Sequence, residues 1–177
     1  MSEIQAIHAG LPAQSLHLGG IFHVEHYRDG ELIDTWDSKN VVTDEGINHS
    51  LNVIFNGATP VTTWYVGIFG NNYTPVSTDT AASFPATAGE VTTQYSEGAR
   101  PAYVEAASTA KSITNAANKA VFTAVSGFTA YGAFLSSVAT KGGTSGVLMA
   151  ASRFSTIKTL AAGDQIVVTY TINGASM

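Results

Sequence analysis

Strict alternation marks the first ordered stretch of the chain. In IFHVEHYRDGELIDTW, Phe22, Val24 and His26 fall on one side, and His23, Glu25 and Tyr27 on the other. Two such runs flank Asp29-Gly30, a pair suited to a two-residue hairpin turn because both of its positions need positive φ. A hairpin is predicted there. The period then changes. In TDEGINHSLNVIFNG, Ile47, Leu51, Ile54 and Phe55 recur at helical spacing. Thr43 suits an N-cap, Asp44 and Glu45 place negative charge in the first turn, and Gly57 suits a C-terminal stop. One long helix is predicted, at about residues 44–56.

From residue 60 onward the pattern is that of strands. TTWYVGIF, RPAYVEA, KAVFTAV, FTAYGAFLSSV, GVLMAASRF and DQIVVTYTI are separated by turn-forming clusters at spacings suited to a sandwich. In the first of these, Trp64, Val66 and Ile68 alternate with Tyr65, Gly67 and Phe69. Both faces are apolar, which predicts a strand covered on each side, with Trp64 and Tyr65 buried as scaffold. In the last, Ile166, Val168, Tyr170 and Ile172 face one way, and Gly163-Asp164 supplies the preceding turn. The stretch from Asn71 to Gly98 is rich in Thr, Ala, Ser and Pro and weakly patterned; loops of that length usually carry function or contact something.

Residues 1–19 have the character of an arm. Ile4, Ile7, Leu11, Leu16 and Leu18 are scattered among Gly10, Pro12 and Gly19-Gly20 without a sustained period. Two readings stand open: a frayed terminus, or an extended segment that docks on a neighbouring subunit. Residues 20–177 form the expected single β-sandwich domain.

Composition sharpens this picture. Only 12% of the 177 residues are charged, about half the usual share, and Thr, Ser, Ala and Gly fill the places. Such a mix suits sheets and surfaces that another chain covers, where charge would have to be desolvated. The net charge is −5, from 13 acidic and 8 basic residues with no Lys/Arg cluster, so no nucleic-acid partner is expected. The absence of cysteine excludes a disulfide framework, a thiolate nucleophile and Cys-ligated zinc. No stretch has the length and apolarity of a signal peptide or membrane span, so an unexported protein made in the cytoplasm, with no membrane partner, is expected.

The inventory of chemistry is short. His23 and His26 in HVEH would fall on opposite faces of a strand, so the spelling is not a chelating pair. Asp34 and Asp37 likewise diverge, and Asp44 and Glu45 are accounted for at the helix start. The loop KGGTSG (141–146) places Lys141 before its glycines and leads into a strand, unlike a phosphate loop, and reads as a flexible hairpin connection. No serine sits in a nucleophile elbow. No catalytic residue, cofactor or metal is assigned, and the protein is not expected to be an enzyme.

Several segments taken in order resemble a group of small tailed-bacteriophage virion proteins. They are NVVTDEGINHSLNVIFNGA (40–58), TTWYVGIFGNNYT (62–74), YSEGARPAYVEAAS (95–108), FTAYGAFLSSVATKGGTSGVLMAASRFS (128–155) and LAAGDQIVVTYTI (160–172). The match runs over about residues 20–173. The resemblance implies a mainly β, jelly-roll-like antiparallel β-sandwich with one helix, acting as a capsid decoration (cement) protein. Its implied partners are the major capsid protein and further copies of itself, as a homo-oligomer expected to be a trimer, on the outer head surface of the virion. Ile4, Ile7, Leu11 and Leu16 of the arm and Tyr73 of the long loop are the expected contact residues. A tail or head fibre component that binds host glycan is the alternative, with the aromatic of the Asn71-Asn72-Tyr73 turn stacking on sugar.

Overall fold

The computed structural model describes residues 16–176. Two antiparallel five-stranded sheets face each other, as the sandwich reading expects. The first sheet has the order β2 (Glu31–Lys39), β1 (Leu16–Arg28), β10 (Gln165–Ser176), β6 (Ser112–Thr114), with β7 (Ala120–Thr123) also pairing to β10. The second runs β3 (Val41–Val42), β9 (Leu148–Leu160), β8 (Phe128–Ser136), β4 (Trp64–Phe69), β5 (Ala102–Tyr103). The helix is α1 (Asp44–Phe55), and a single further turn, α2 (Phe84–Thr87), lies in the long loop.

The hairpin forms as its alternation predicts. Asp29 and Gly30 take φ of 51° and 81°, and β1 pairs with β2 up to Arg28↔Glu31. Phe22, Val24 and His26 face the interior while His23 and Glu25 stay partly exposed. Phe22 stacks on Tyr170 of β10 at 4.0 Å between ring centroids. With Val66, Ile68, Leu135, Phe154, Ile166 and Val168 these residues fill the space between the sheets.

Three boundaries move. β1 begins at Leu16, which pairs with Ser176, so residues 16–19 belong to the sheet rather than to the arm. Ile4, Ile7 and Leu11 lie outside the described residues. The RPAYVEA segment supplies only the two residues of β5, whereas β9 runs on to Leu160, past its apolar core.

The strand β4 is covered on both faces, but by different means. Val66 and Ile68 point between the sheets, whereas Phe69 points outward into a second apolar cluster with Phe134, Leu148, Ala151 and, from the long loop, Ala81, Phe84 and Ala88. The loop after β4 is thus a strap that seals the outer face of the second sheet. Gly67 makes this possible: a Cβ there would stand 2.2 Å from Cζ of Phe134, so the glycine leaves the volume that the cross-strand ring occupies. Trp64 and Tyr65 depart from expectation. They are only half-buried, because they lie at the end of the strand; the ring of His49 from α1 meets Trp64 edge-on at 5.8 Å.

One acid at the hairpin end holds several elements together. Asp164, 2% exposed, accepts hydrogen bonds from Arg28 Nε (2.8 Å) and Nη2 (2.7 Å), from the Ala161 amide (2.9 Å), and pairs with His26 Nε2 at 3.0 Å. The Arg28 hydrogen bonds, more than burial opposes, hold its carboxyl well below the usual carboxylate range. A depressed pKa adds stability that is complete above the unfolded value and is lost as pH falls below about 4. Acid titration of Asp164→Asn followed by circular dichroism should therefore show lower stability at neutral pH and a shallower loss below about pH 4 than the parent.

Candidate functional site

The stretch from Gly46 to Thr78 contains no Asp, Glu, Lys or Arg, and α1 opens it. The helix starts as its sequence demands. The side chain of Thr43 accepts from the Gly46 amide at 3.0 Å and donates to the Leu148 carbonyl. Glu45 accepts from the amides of Ala81 (2.8 Å) and Leu148 (2.7 Å), which ties the first turn to both the strap and β9. Gly46 is the buried residue of the helix; a Cβ there would lie 2.6 Å from the Met149 carbonyl oxygen. Its lack of a side chain lets the helix backbone rest directly on β9. The C-terminal end closes at Gly57, with φ of 66°.

The apolar stripe that identifies the helix would ordinarily be its inward face. Here it faces solvent. Ile47, Leu51, Ile54 and Phe55 are 39%, 47%, 64% and 78% exposed. The face turned to the body carries Gly46, His49, Ser50 and Val53. Residues four, seven and eight positions apart share one side of a helix, so the four side chains form a single apolar surface, flanked by the exposed amides of Asn48 and Asn52. Clustered exposed apolar side chains rimmed by polar groups make such a surface a candidate contact site.

The arm and turn residues expected at an interface are distributed differently. Leu16 lies at the start of β1, and Ile4, Ile7 and Leu11 fall outside the described residues. Tyr73 is half-buried rather than displayed. Its ring lies 6.0 Å from that of Phe84, and its hydroxyl donates to Asp79 Oδ1 at 2.7 Å, a bond that with burial pushes its pKa up to about 12. Its turn is stapled onto the strap, with Asp79 Oδ2 accepting from the Val76 amide at 2.9 Å. The α1 surface went unnoticed in the sequence although its signal was present: a helix that turned the stripe inward would show charged residues on its other face, and α1 beyond Glu45 has none.

The polar groups singled out for chemistry are engaged in structure. His23 Nδ1 pairs with Asp37 at 2.7 Å, on the face opposite His26. The 141–146 loop connects β8 and β9 and is pinned: Lys141 Nζ donates to the Tyr95 carbonyl at 3.2 Å and sits 3.6 Å over its ring, and the Gly142 amide donates to Glu90 at 2.9 Å. Among the described residues no group of three or more His, Asp or Glu is arranged to hold a metal ion, and no helix is long and apolar enough to cross a membrane. No protein-family model matches the chain, and no curated protein matches it.

Proposed function

We propose that this protein is a structural component of a tailed-phage virion, of the decoration (cement) type, that binds the outer head surface and stabilises the shell. The observation that carries the reading is the solvent-facing stripe of Ile47, Leu51, Ile54 and Phe55, gathered on one side of a helix in an uncharged stretch of the chain. A surface of that kind works when it is covered. The ordered segments that resemble phage virion proteins supply the setting, and the major capsid protein is the partner. A molecule that binds the assembled lattice in preference to free subunits stabilises it by mass action. An oligomer placed over a seam between coat subunits adds avidity to contacts that are individually weak.

A second reading, a fibre component that binds host glycan, draws on a groove of about 510 Å³ whose lining includes Asn71, Gln94, Phe128, Thr129 and Tyr131. Rings and amides together suit a sugar, whose apolar faces stack and whose hydroxyls hydrogen-bond. Titration of the purified full chain onto undecorated heads and onto host cells separates the two. Saturable binding to heads, at a fixed ratio to coat subunits, is the expected result. Binding to cells or surface polysaccharide with none to heads would reverse the assignment.

A further inference from the structure

Asn-Gly occurs twice in the chain, as Asn56-Gly57 and as Asn173-Gly174. The dipeptide is chemically labile. The side-chain carbonyl carbon of the asparagine, Cγ, can be reached by the next backbone nitrogen, and a following glycine has no Cβ to hinder the approach or restrict the turn it needs. Both asparagines are exposed. What separates them is the freedom of the amide that would attack.

At Asn173 the backbone is held from both sides. Asn173 pairs with Gly19 of β1 and with Ser112 of β6, and the Gly174 amide donates to the Lys111 carbonyl at 2.8 Å. Swinging that nitrogen toward a side chain means opening the ladder. At Asn56 little stands in the way. Asn56 is the C-cap of α1, with φ of −118° and ψ of 9°, and among the described residues the Gly57 amide donates to no group. A Cβ on Gly57 would meet nothing within 4 Å, so the space around it is open. Turning ψ of Asn56 to bring the Gly57 nitrogen against Cγ breaks one backbone bond, from the Ala58 amide to the Asn52 carbonyl at 3.1 Å. Residues 57–63 belong to no helix or strand that would resist the turn, and fraying ends open at the least cost in free energy.

We propose that Asn56 is a site of spontaneous deamidation, and that the reaction places a negative charge at the end of the α1 stripe. The Gly57 nitrogen gives its proton to hydroxide or water and bonds to Asn56 Cγ. The Cγ–Nδ2 bond breaks, and the side-chain nitrogen leaves as ammonia. Water then opens the five-membered imide at either of its carbonyls, leaving aspartate or isoaspartate. A group that donated from Nδ2 to Asn52 Oδ1 at 3.5 Å becomes a carboxylate beside that oxygen. It stands next to Phe55 at the negative end of the helix, where an anion is disfavoured. The last turn of α1 holds no basic residue, and no Lys or Arg occurs from Gly46 to Thr78, so no cation close in sequence offsets the new charge. The turn that carries Ile54 and Phe55 loosens as a result. Any effect on binding rests on the reading of the stripe as the contact surface; the chemistry at Asn56 does not.

Incubation of the full chain in mildly alkaline buffer, with peptide mapping by mass spectrometry over time, tests it. The peptide containing Asn56 should gain a single mass unit and separate into aspartate and isoaspartate forms. It should do so at least about tenfold faster than the peptide containing Asn173, whose ladder must open first. Asn56→Gln should suppress the change, because closure then requires a larger ring. Asn56→Asp should lower hydrogen-exchange protection in the last turn of α1 relative to Asn56→Gln, with β10 unaffected. Acid forming at Asn173 as fast as at Asn56, or none forming at Asn56, overturns the site. Equal protection of that turn in Asn56→Asp and Asn56→Gln overturns the effect assigned to the charge. A parent that forms the acid at Asn56 yet ignores undecorated heads would sink only the virion reading.

Discussion

Glu90→Gln should destabilise the protein by about 3–5 kcal/mol, the cost of leaving a buried charge without its partner. Arg100 and Glu90 are 0% and 1% exposed, joined by two parallel bonds of 2.8 Å and 2.7 Å. The remaining guanidinium protons are spent on the chain around them: Nη1 donates to Ser136 Oγ (3.2 Å) and the Val138 carbonyl (2.9 Å), and Nη2 to the Gly143 carbonyl (3.2 Å). Its face lies 5.1 Å from the centre of the Phe134 ring. One ion pair thus joins the strap, the strand β8 and the β8–β9 loop. The glutamine keeps the size but loses the charge, so the guanidinium stays buried and uncompensated. Urea unfolding should show a lower midpoint with an unchanged slope, and Tm should fall by on the order of 10 °C. Removing both charges with Glu90→Leu/Arg100→Met should cost less than Glu90→Gln alone, because no charge then remains to be paired. A Glu90→Gln variant within 1 kcal/mol of the parent would mean that water reaches the guanidinium.

Local chemistry explains what could be read from the sequence. The hairpin, the start and stop of α1 and the alternation of β10 are set by residues within a few positions of one another: Asp29-Gly30, Thr43 with Gly46, Gly57, and Ile166 through Tyr170. What escaped depends on partners far along the chain. β3 and β6 are short strands that exist because β9 and β10 offer them an edge. The strap looks featureless because its anchors are few: Ala81, Phe84 and Ala88 keep helical spacing over little more than one turn, and Tyr73 stands apart from them; what orders them is the outer face of a sheet built from β4, β8 and β9. The candidate surface illustrates the point most directly. Periodicity located the helix correctly but carries no sign, and whether a stripe points in or out depends on what the other side of the helix can rest against. Gly46 against Met149 decides that, and Met149 is about a hundred residues away.

Phe84→Ala tests whether the strap is a working part of the core. Phe84 is fully buried, with the rings of Phe134 at 5.2 Å, Phe69 at 5.6 Å and Tyr73 at 6.0 Å around it. Truncating a buried phenylalanine costs about 3–5 kcal/mol, more where the site cannot collapse. Collapse is resisted here because Phe69 and Phe134 are fixed by strand pairing on β4 and β8. The loss should be uneven. The Ala88 amide, which bonds the Phe84 carbonyl at 2.8 Å, and the Ala81 amide on Glu45 should lose hydrogen-exchange protection before the amides of β10 do. The strap also bonds the helix start, through the Ser77 carbonyl to the Asp44 amide at 2.8 Å. Loosening it should therefore weaken the seat of α1, and with it any assembly that α1 supports, while the space between the sheets stays packed. Equal loss of protection across strap and sheets would show instead that strap and sandwich unfold as one unit. A cost below 1 kcal/mol would reduce the strap to an ordinary surface loop.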